Sequence, residues 1–171
     1  MTAKKLAANL IDTRWETSES SNLALTSAQK LGSFTIDAKL PTEHGVLDFT
    51  TLAVELILRI DKIDAGSFLI NAPFRALISQ NMGSTARWYA DGKALKVTGK
   101  NSLEAAGEVD VVGNVLEIPA ALELTLEGDE LIADFSAQYI FPHVKLPIPG
   151  VPEVYDLPID LAGRLVFEQV D

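Results

Sequence analysis

The chain contains no cysteine. That absence removes disulfides, thiolate nucleophiles and cysteine-ligated metal centres together, and it leaves the redox compartment open. Histidine occurs only at His44 and His143, and neither lies in H-E-x-x-H or another zinc-ligand spacing. There is no G-x-S-x-G nucleophile elbow and no G-x-x-x-x-G-K-S/T phosphate loop. Asp61 and Asp64 are too few oxygen ligands for a calcium loop, and Glu127 and Asp129 flank a turn, where solvated carboxylates belong. The composition therefore predicts no cofactor, no metal and no catalytic constellation.

Positive charge is also scarce. Lys and Arg number 14 against 24 Asp and Glu, a formal net charge of −10. Nucleic-acid binding needs clustered cations that release counterions, so the charge argues against nucleic acid as a partner, and also against electrostatic docking to anionic lipid. No run approaches the roughly 18 apolar residues that span a bilayer. Met1 to Ala8 begins like an export signal, but Asn9, Asp12, Arg14 and Glu16 interrupt it before an apolar core develops. We therefore expect no signal peptide, no membrane span and a cytoplasmic location.

What the chain does have is alternation. Of its 171 residues 47% are hydrophobic and 22% charged, a globular balance that suits one domain over residues 1–171. Leu116, Ile118, Ala120, Leu122, Leu124 and Leu126 face one way, with Glu117, Glu123 and Glu127 on the other side. After the turn signal Gly128-Asp129-Glu130 the pattern resumes with Leu131, Ala133, Phe135, Ala137, Tyr139 and Phe141. A period of two places alternate side chains on opposite faces of a strand, so this is a β-hairpin with one apolar face. An eleven-residue arm would be about 36 Å long, roughly twice the usual strand.

Similar strands are expected at Leu23–Thr26, Phe34–Leu40, Leu47–Phe49, Leu52–Ile60, from Trp88, at Leu95–Val97, Leu103–Val111 and Leu157–Phe167. Pro41 and Gly45 punctuate a turn after the second of these. Asn71 to Gln80 carries Phe74, Leu77 and Ile78 at helical spacing, behind a candidate cap at Asn71, which predicts one short helix. Proline cannot donate to a ladder, so Pro142 to Pro158 is expected to be a long connection or an edge. It could serve as a lid, an edge cover or the contact of a homodimer. About eight one-sided strands bury their faces either in a barrel or in a sandwich, and strands this long favour an antiparallel β-barrel, which also removes edges. Ala105, Gly107, Ala120, Ala133, Ala137 and Gly163 fall on the apolar faces. They allow either a ligand cavity or small and large residues packed solid.

The order of features resembles the YceI-like family of polyisoprenoid-binding, lipocalin-like proteins. The resemblance covers roughly residues 30 to 127. It rests on Leu58-Arg59-Ile60-Asp61-Lys62-Ile63-Asp64-Ala65-Gly66-Ser67, on Phe74 to Ile78, and on the bracket Gly107-Glu108-Val109-Asp110-Val111-Val112-Gly113 followed by Ile118 to Leu124. Leu31 to Phe34 and His44 to Phe49 are similar to the family's opening strands. The chain departs from the pattern after Trp15, where the family's histidine is missing, and after Ile78, where an aromatic pair is missing.

The resemblance implies a lipocalin-like barrel that sequesters an isoprenoid or fatty lipid without catalysis, as in carriage or transport. The residues then expected to line the ligand are Phe74, Leu77, Trp88, Leu116, Ile118, Leu122, Leu131, Phe135 and Tyr139. Two other readings stay open. One is a packed β module that works through its acidic outer surface. The other is a small barrel enzyme using Asp, Glu or Tyr near the mouth on an apolar substrate.

Overall fold

The computed structural model describes residues 6–18, 21–27, 29, 35–66, 71–72, 75–76, 83–111, 114–145 and 149–171. Its strands are β1 (Arg14–Thr17), β2 (Ser21–Ser27), β3 (Asp37–Asp48), β4 (Ala53–Arg59), β5 (Thr85–Asp91), β6 (Leu95–Gly99), β7 (Ser102–Val111), β8 (Asn114–Glu127), β9 (Glu130–Val144) and β10 (Val154–Val170). Single-turn 3₁₀ helices follow β4 at Ile60–Lys62 and β5 at Gly92–Ala94. Asn71, Ala72, Arg75 and Ala76 are helical, and the rest of the segment expected to be a helix lies outside the described residues.

The sheet closes on itself. Its pairing order runs β10-β2-β3-β4-β5-β7-β8-β9 and returns through the β9–β10 pair. Two of the eight staves are broken strands. β1 and β2 occupy one slot between β10 and β3, with β1 on Phe167–Val170 and β2 on Ile159–Ala162. β5 and β6 occupy another along β7, separated by the 3₁₀ turn. Every pairing is antiparallel, so the architecture is the eight-staved antiparallel barrel that the alternation implies.

Two local expectations are corrected. Pro41 and Gly45 do not end a strand. β3 runs through both, with a register shift between Thr42 and His44 that absorbs the irregularity as a bulge. His44 is therefore a strand residue beside Glu16 (3.1 Å), not a turn residue. Likewise Pro142 and Pro158 sit inside β9 and β10, and only the residues between Val144 and Val154 connect the two strands. Proline is tolerated there because the ladder is one-sided. β9 beyond Ala137 pairs with β10 alone, and β10 meets β2 only from Ile159 onward.

The barrel has two unlike ends. The turns β3–β4, β6–β7 and β8–β9 gather at one end, where residues 6–13 cross as a plug. Leu6 and Leu10 are buried there. The plug is tied by Ala7 N–H to Lys100 O (2.9 Å), Thr13 Oγ1 to Leu10 O (2.6 Å) and Phe49 N–H to Thr13 O (2.8 Å). Trp15, also buried, donates its indole N–H to Thr13 Oγ1 (2.8 Å). The β2–β3, β4–β5, β7–β8 and β9–β10 connections lie at the opposite end.

Candidate functional site

The inward positions of the middle and plugged end form one close-packed cluster. Leu47, Leu56, Leu103, Leu122, Leu131, Leu165 and Phe167 are essentially inaccessible. The glycines in this wall do not leave a void. A Cβ on Gly107 would come within 2.0 Å of the Trp88 ring, and one on Gly163 within 2.7 Å of the Leu23 side chain. The space that the sequence opens at Gly107 is filled by an indole. Trp88 lies across that glycine, meets Phe135 edge to face at 5.2 Å between ring centres, and donates to the Ile118 carbonyl at 2.9 Å. Phe135 itself stands opposite Leu122 on β8 and Gly163 on β10. Trp88 and Phe135 thus form a solid floor across the barrel.

Toward the loop end the inward residues of β3, of β10 and of the turn after β4, such as Ala38, Leu40, Leu157 and Ile60, stay buried, and only the faces of β8 and β9 open. β8 keeps its ladder with β7 along its length, from Val111↔Asn114 to Ser102↔Glu123. Its ladder with β9 stops at Ala120↔Ala137. Beyond that pair the wall is a seam, with β8 114–119 on one side and β9 138–144 on the other. The inward residues on both lips, Leu116, Ile118, Ala137, Tyr139 and Phe141, are half-buried, whereas Leu122 and Phe135 one or two pairs below are buried. Tyr139 and Phe141 stack edge to face at 4.8 Å. A cleft of about 560 Å³ lies on the outer wall beside the foot of the seam, lined chiefly by the outward-facing Lys96, Glu104, Ala106, Pro119, Ala121, Ser136, Gln138 and Asp160.

The expected lining residues therefore fall into two groups. Leu116, Ile118 and Tyr139 come together along the seam. Trp88, Leu122, Leu131 and Phe135 belong to the packed floor and plugged end. Phe74 and Leu77 lie outside the described residues. The reading from sequence missed Phe141, Ala137 and Leu161 as half-covered neighbours of the first group. The seam that exposes them depends on a pairing that alternation does not encode. Pro119 and Pro142 were the available signal, since both sit beside the lapsed ladder.

No carboxylate or imidazole is buried among the described residues. The buried polar side chains are Ser27 and Thr42, and both are satisfied. Ser27 Oγ accepts from Ile36 N–H (2.9 Å), and Thr42 Oγ1 donates to Ser21 O (2.8 Å). No group of three His, Asp or Glu side chains suits a metal ion among the described residues. Among the described residues, ionic chemistry is confined to the outside. His143 contacts Glu153 and stacks on Tyr155 at 4.9 Å, while Tyr155 Oη donates to Glu153 (3.0 Å). Those hydrogen bonds, His143 first, hold the Glu153 carboxyl below its ordinary value. A second pocket, polar and on the outer wall, is lined by Asn22, Lys39, Pro41, Asp61, Lys62, Asp64 and Arg75.

The chain matches no family model, and no curated protein matches it in sequence. Among solved structures it is similar to the crystal structure of Burkholderia cenocepacia BcnA, with a TM-score of 0.58 at 9% identity. That match covers 86% of this chain and 95% of the other. It shows the fold, a lipocalin-like barrel. No helix among the described residues is long and apolar enough to cross a membrane.

Proposed function

We propose that this barrel binds one elongated apolar ligand, a polyisoprenoid or related lipid chain, along the part of its interior wall that the β8–β9 seam uncovers. The observation that carries the reading is the change of exposure along β8 and β9. The inward faces remain apolar through Leu116, Ile118, Tyr139 and Phe141, but the protein stops covering them where the β8–β9 ladder ends. Exposed apolar surface of this kind, set in a concave site, marks ligand grooves.

Magnitudes favour a long chain. A micromolar complex needs about 8 kcal/mol net. Loss of translational and rotational freedom costs at least about 4 kcal/mol more. At about 0.8 kcal/mol per buried methylene, roughly 15 such groups must be covered. The stretch of β8 from Asn114 to Ala120 supplies about 20 Å of wall along which to lay them. The mechanism is sequestration, since no ionisable side chain is buried among the described inward-facing residues. The isoprenoid assignment rests on the YceI-like motifs at Leu58–Ser67 and Gly107–Gly113, and the barrel fold accommodates it.

Native mass spectrometry before and after delipidation tests the proposal, together with uptake of a fluorescent isoprenoid probe. An adduct lost on delipidation and saturable probe uptake are expected. A clean apo mass with no uptake would refute it.

A further inference from the structure

The lapsed ladder leaves more than an apolar interior. β8 from Asn114 to Pro119 and β9 from Gln138 to Val144 are each hydrogen-bonded on one side, to β7 and β10 respectively. On the side facing the seam, neither has a strand partner among the described residues. Free backbone edges of this kind are templates for another strand. Pro119 and Pro142 each withhold a donor, which discourages indiscriminate pairing, but alternate residues within Val115–Ile118 and Gln138–Phe141 can turn theirs to the seam, the others facing β7 or β10. The inward side chains beside the edges are apolar, while the outward ones mix apolar Val115 and Ile140 with Glu117 and Gln138. Leu116, Ile118 and Tyr139 point in, while Val115 and Ile140 point out and are 61% and 54% exposed.

Charge selects among the strands that could add there. Glu108 stands directly opposite Glu117 across the β7–β8 ladder, and Asp110 is opposite Val115. Like charges facing each other across a ladder are unfavourable. No ion pair among the described residues neutralises these three, since the observed pairs all involve other carboxylates. On the far lip Asp160 adds a fourth carboxylate, bonded to Gln138 Nε2 (2.9 Å). A second copy of this chain would bring its own acidic outer faces, such as Glu117, Glu123 and Asp134, against this rim.

We propose that the β8–β9 seam docks an extended segment of a partner polypeptide whose side chains alternate apolar and basic. The segment would add as a strand along the free edge of β8, its apolar residues toward Ile118 and Tyr139 and its Lys or Arg residues toward Glu108, Glu117 and Asp110. This docking does not depend on a ligand in the interior.

Fluorescence anisotropy with a labelled short peptide of alternating valine and lysine tests it. Three comparisons go with it: an alternating valine–glutamate peptide, a valine–lysine peptide carrying a central proline, and the Glu108→Gln/Glu117→Gln variant. The valine–lysine peptide should bind, and the double variant should weaken it about fivefold at low salt. The central proline should weaken it about tenfold or more, because it removes a ladder donor and bends the strand. Bound peptide should slow hydrogen exchange at 115–118 and 138–141. The proposal is overturned if the proline peptide binds as tightly, which would mean charge alone, or if the glutamate peptide matches it or nothing binds. It is equally overturned if the same amides gain protection from rising protein concentration alone, or from an apolar probe alone. Those results would assign the seam to a second copy or to the interior ligand.

Discussion

Gly107→Ala should be among the most damaging single-methyl changes in this barrel. The added Cβ would lie 2.0 Å from Trp88 Cε2 and 2.2 Å from its Nε1, and the ring is held from behind by Phe135. Trp88 must therefore shift. Overpacking of this kind costs about 2 kcal/mol. Losing the indole bond to Ile118 O costs about 1 kcal/mol more. Losing the edge-to-face contact with Phe135 costs about another 1 kcal/mol. Replacing a strand glycine by alanine returns roughly 0.5–1 kcal/mol through the unfolded chain. The net loss is about 3 kcal/mol, which for a chain of this size lowers Tm by about 6–12 °C. In urea the midpoint should fall by about 1.5 M at an m-value near 2 kcal/mol/M, with m unchanged. The mechanism has its own check. Trp88→Leu should cost much less on the Gly107→Ala background than on the wild type, because the clash and the ring are then removed together. A loss under about 1 kcal/mol for Gly107→Ala, or strict additivity of the two changes, would refute the packed-floor reasoning.

Other outcomes follow from the same geometry. Leu122→Arg places an unpaired charge in the floor and should unfold the barrel, costing over about 4 kcal/mol, whereas Leu116→Arg on the seam should cost under about 1 kcal/mol yet abolish probe uptake. Thermal melts and probe titrations on both variants separate the seam from the packed floor, and equal destabilisation would contradict the division. Leu10→Ala should cost about 3 kcal/mol, because Leu10 is fully buried in the plug, and a denaturation curve within about 0.5 kcal/mol of wild type would show that the plug is not part of the cooperative unit. At the β9–β10 tip, a carboxyl NMR titration should find Glu153 with a midpoint below 4.5, since the His143 and Tyr155 hydrogen bonds favour its ionised form. A depressed carboxylate stabilises above its unfolded pKa and loses that contribution as pH falls through the folded value. The tip should therefore loosen only below about pH 4.5, and a midpoint at or above 4.5 would contradict the contact.

Much of this molecule was readable without coordinates, because a strand's period of two is local. The run Leu116 to Leu126 and its answer Leu131 to Phe141 needed no tertiary information to be a hairpin, and their register, Leu122↔Phe135 and Leu126↔Leu131, is what the Gly128-Asp129 turn dictates. The outward glutamates at 117, 123 and 127 are exposed as that period requires. Enough one-sided strands with short connections left barrel closure as the natural way to bury the faces. Local rules failed where a long-range pairing overruled a breaker. Pro41 and Gly45 looked like a turn, but β2 and β4 pair with β3 on both sides of them and turn the irregularity into a bulge. Pro142 and Pro158 looked like a connection, but Pro158 falls where β10 pairs with β9 alone, and at Pro142 the β9–β10 ladder skips one pairing, with Asp156, and then resumes.

The interior could not be divided from sequence for a related reason. An inward leucine has the same neighbours in the chain whether a tryptophan three staves away fills the space beside it or nothing does. By itself, then, the sequence determined most of the strands, the in-and-out sense of each of them, the acidic outer wall and the absence of cysteine chemistry. Tertiary structure alone decided that Gly107 hosts Trp88, that the barrel is solid from that ring to the plug, and that β8 and β9 part above Ala120 and Ala137. Alternation is a property of one strand, whereas a filled core and an open seam are properties of strands far apart in the chain.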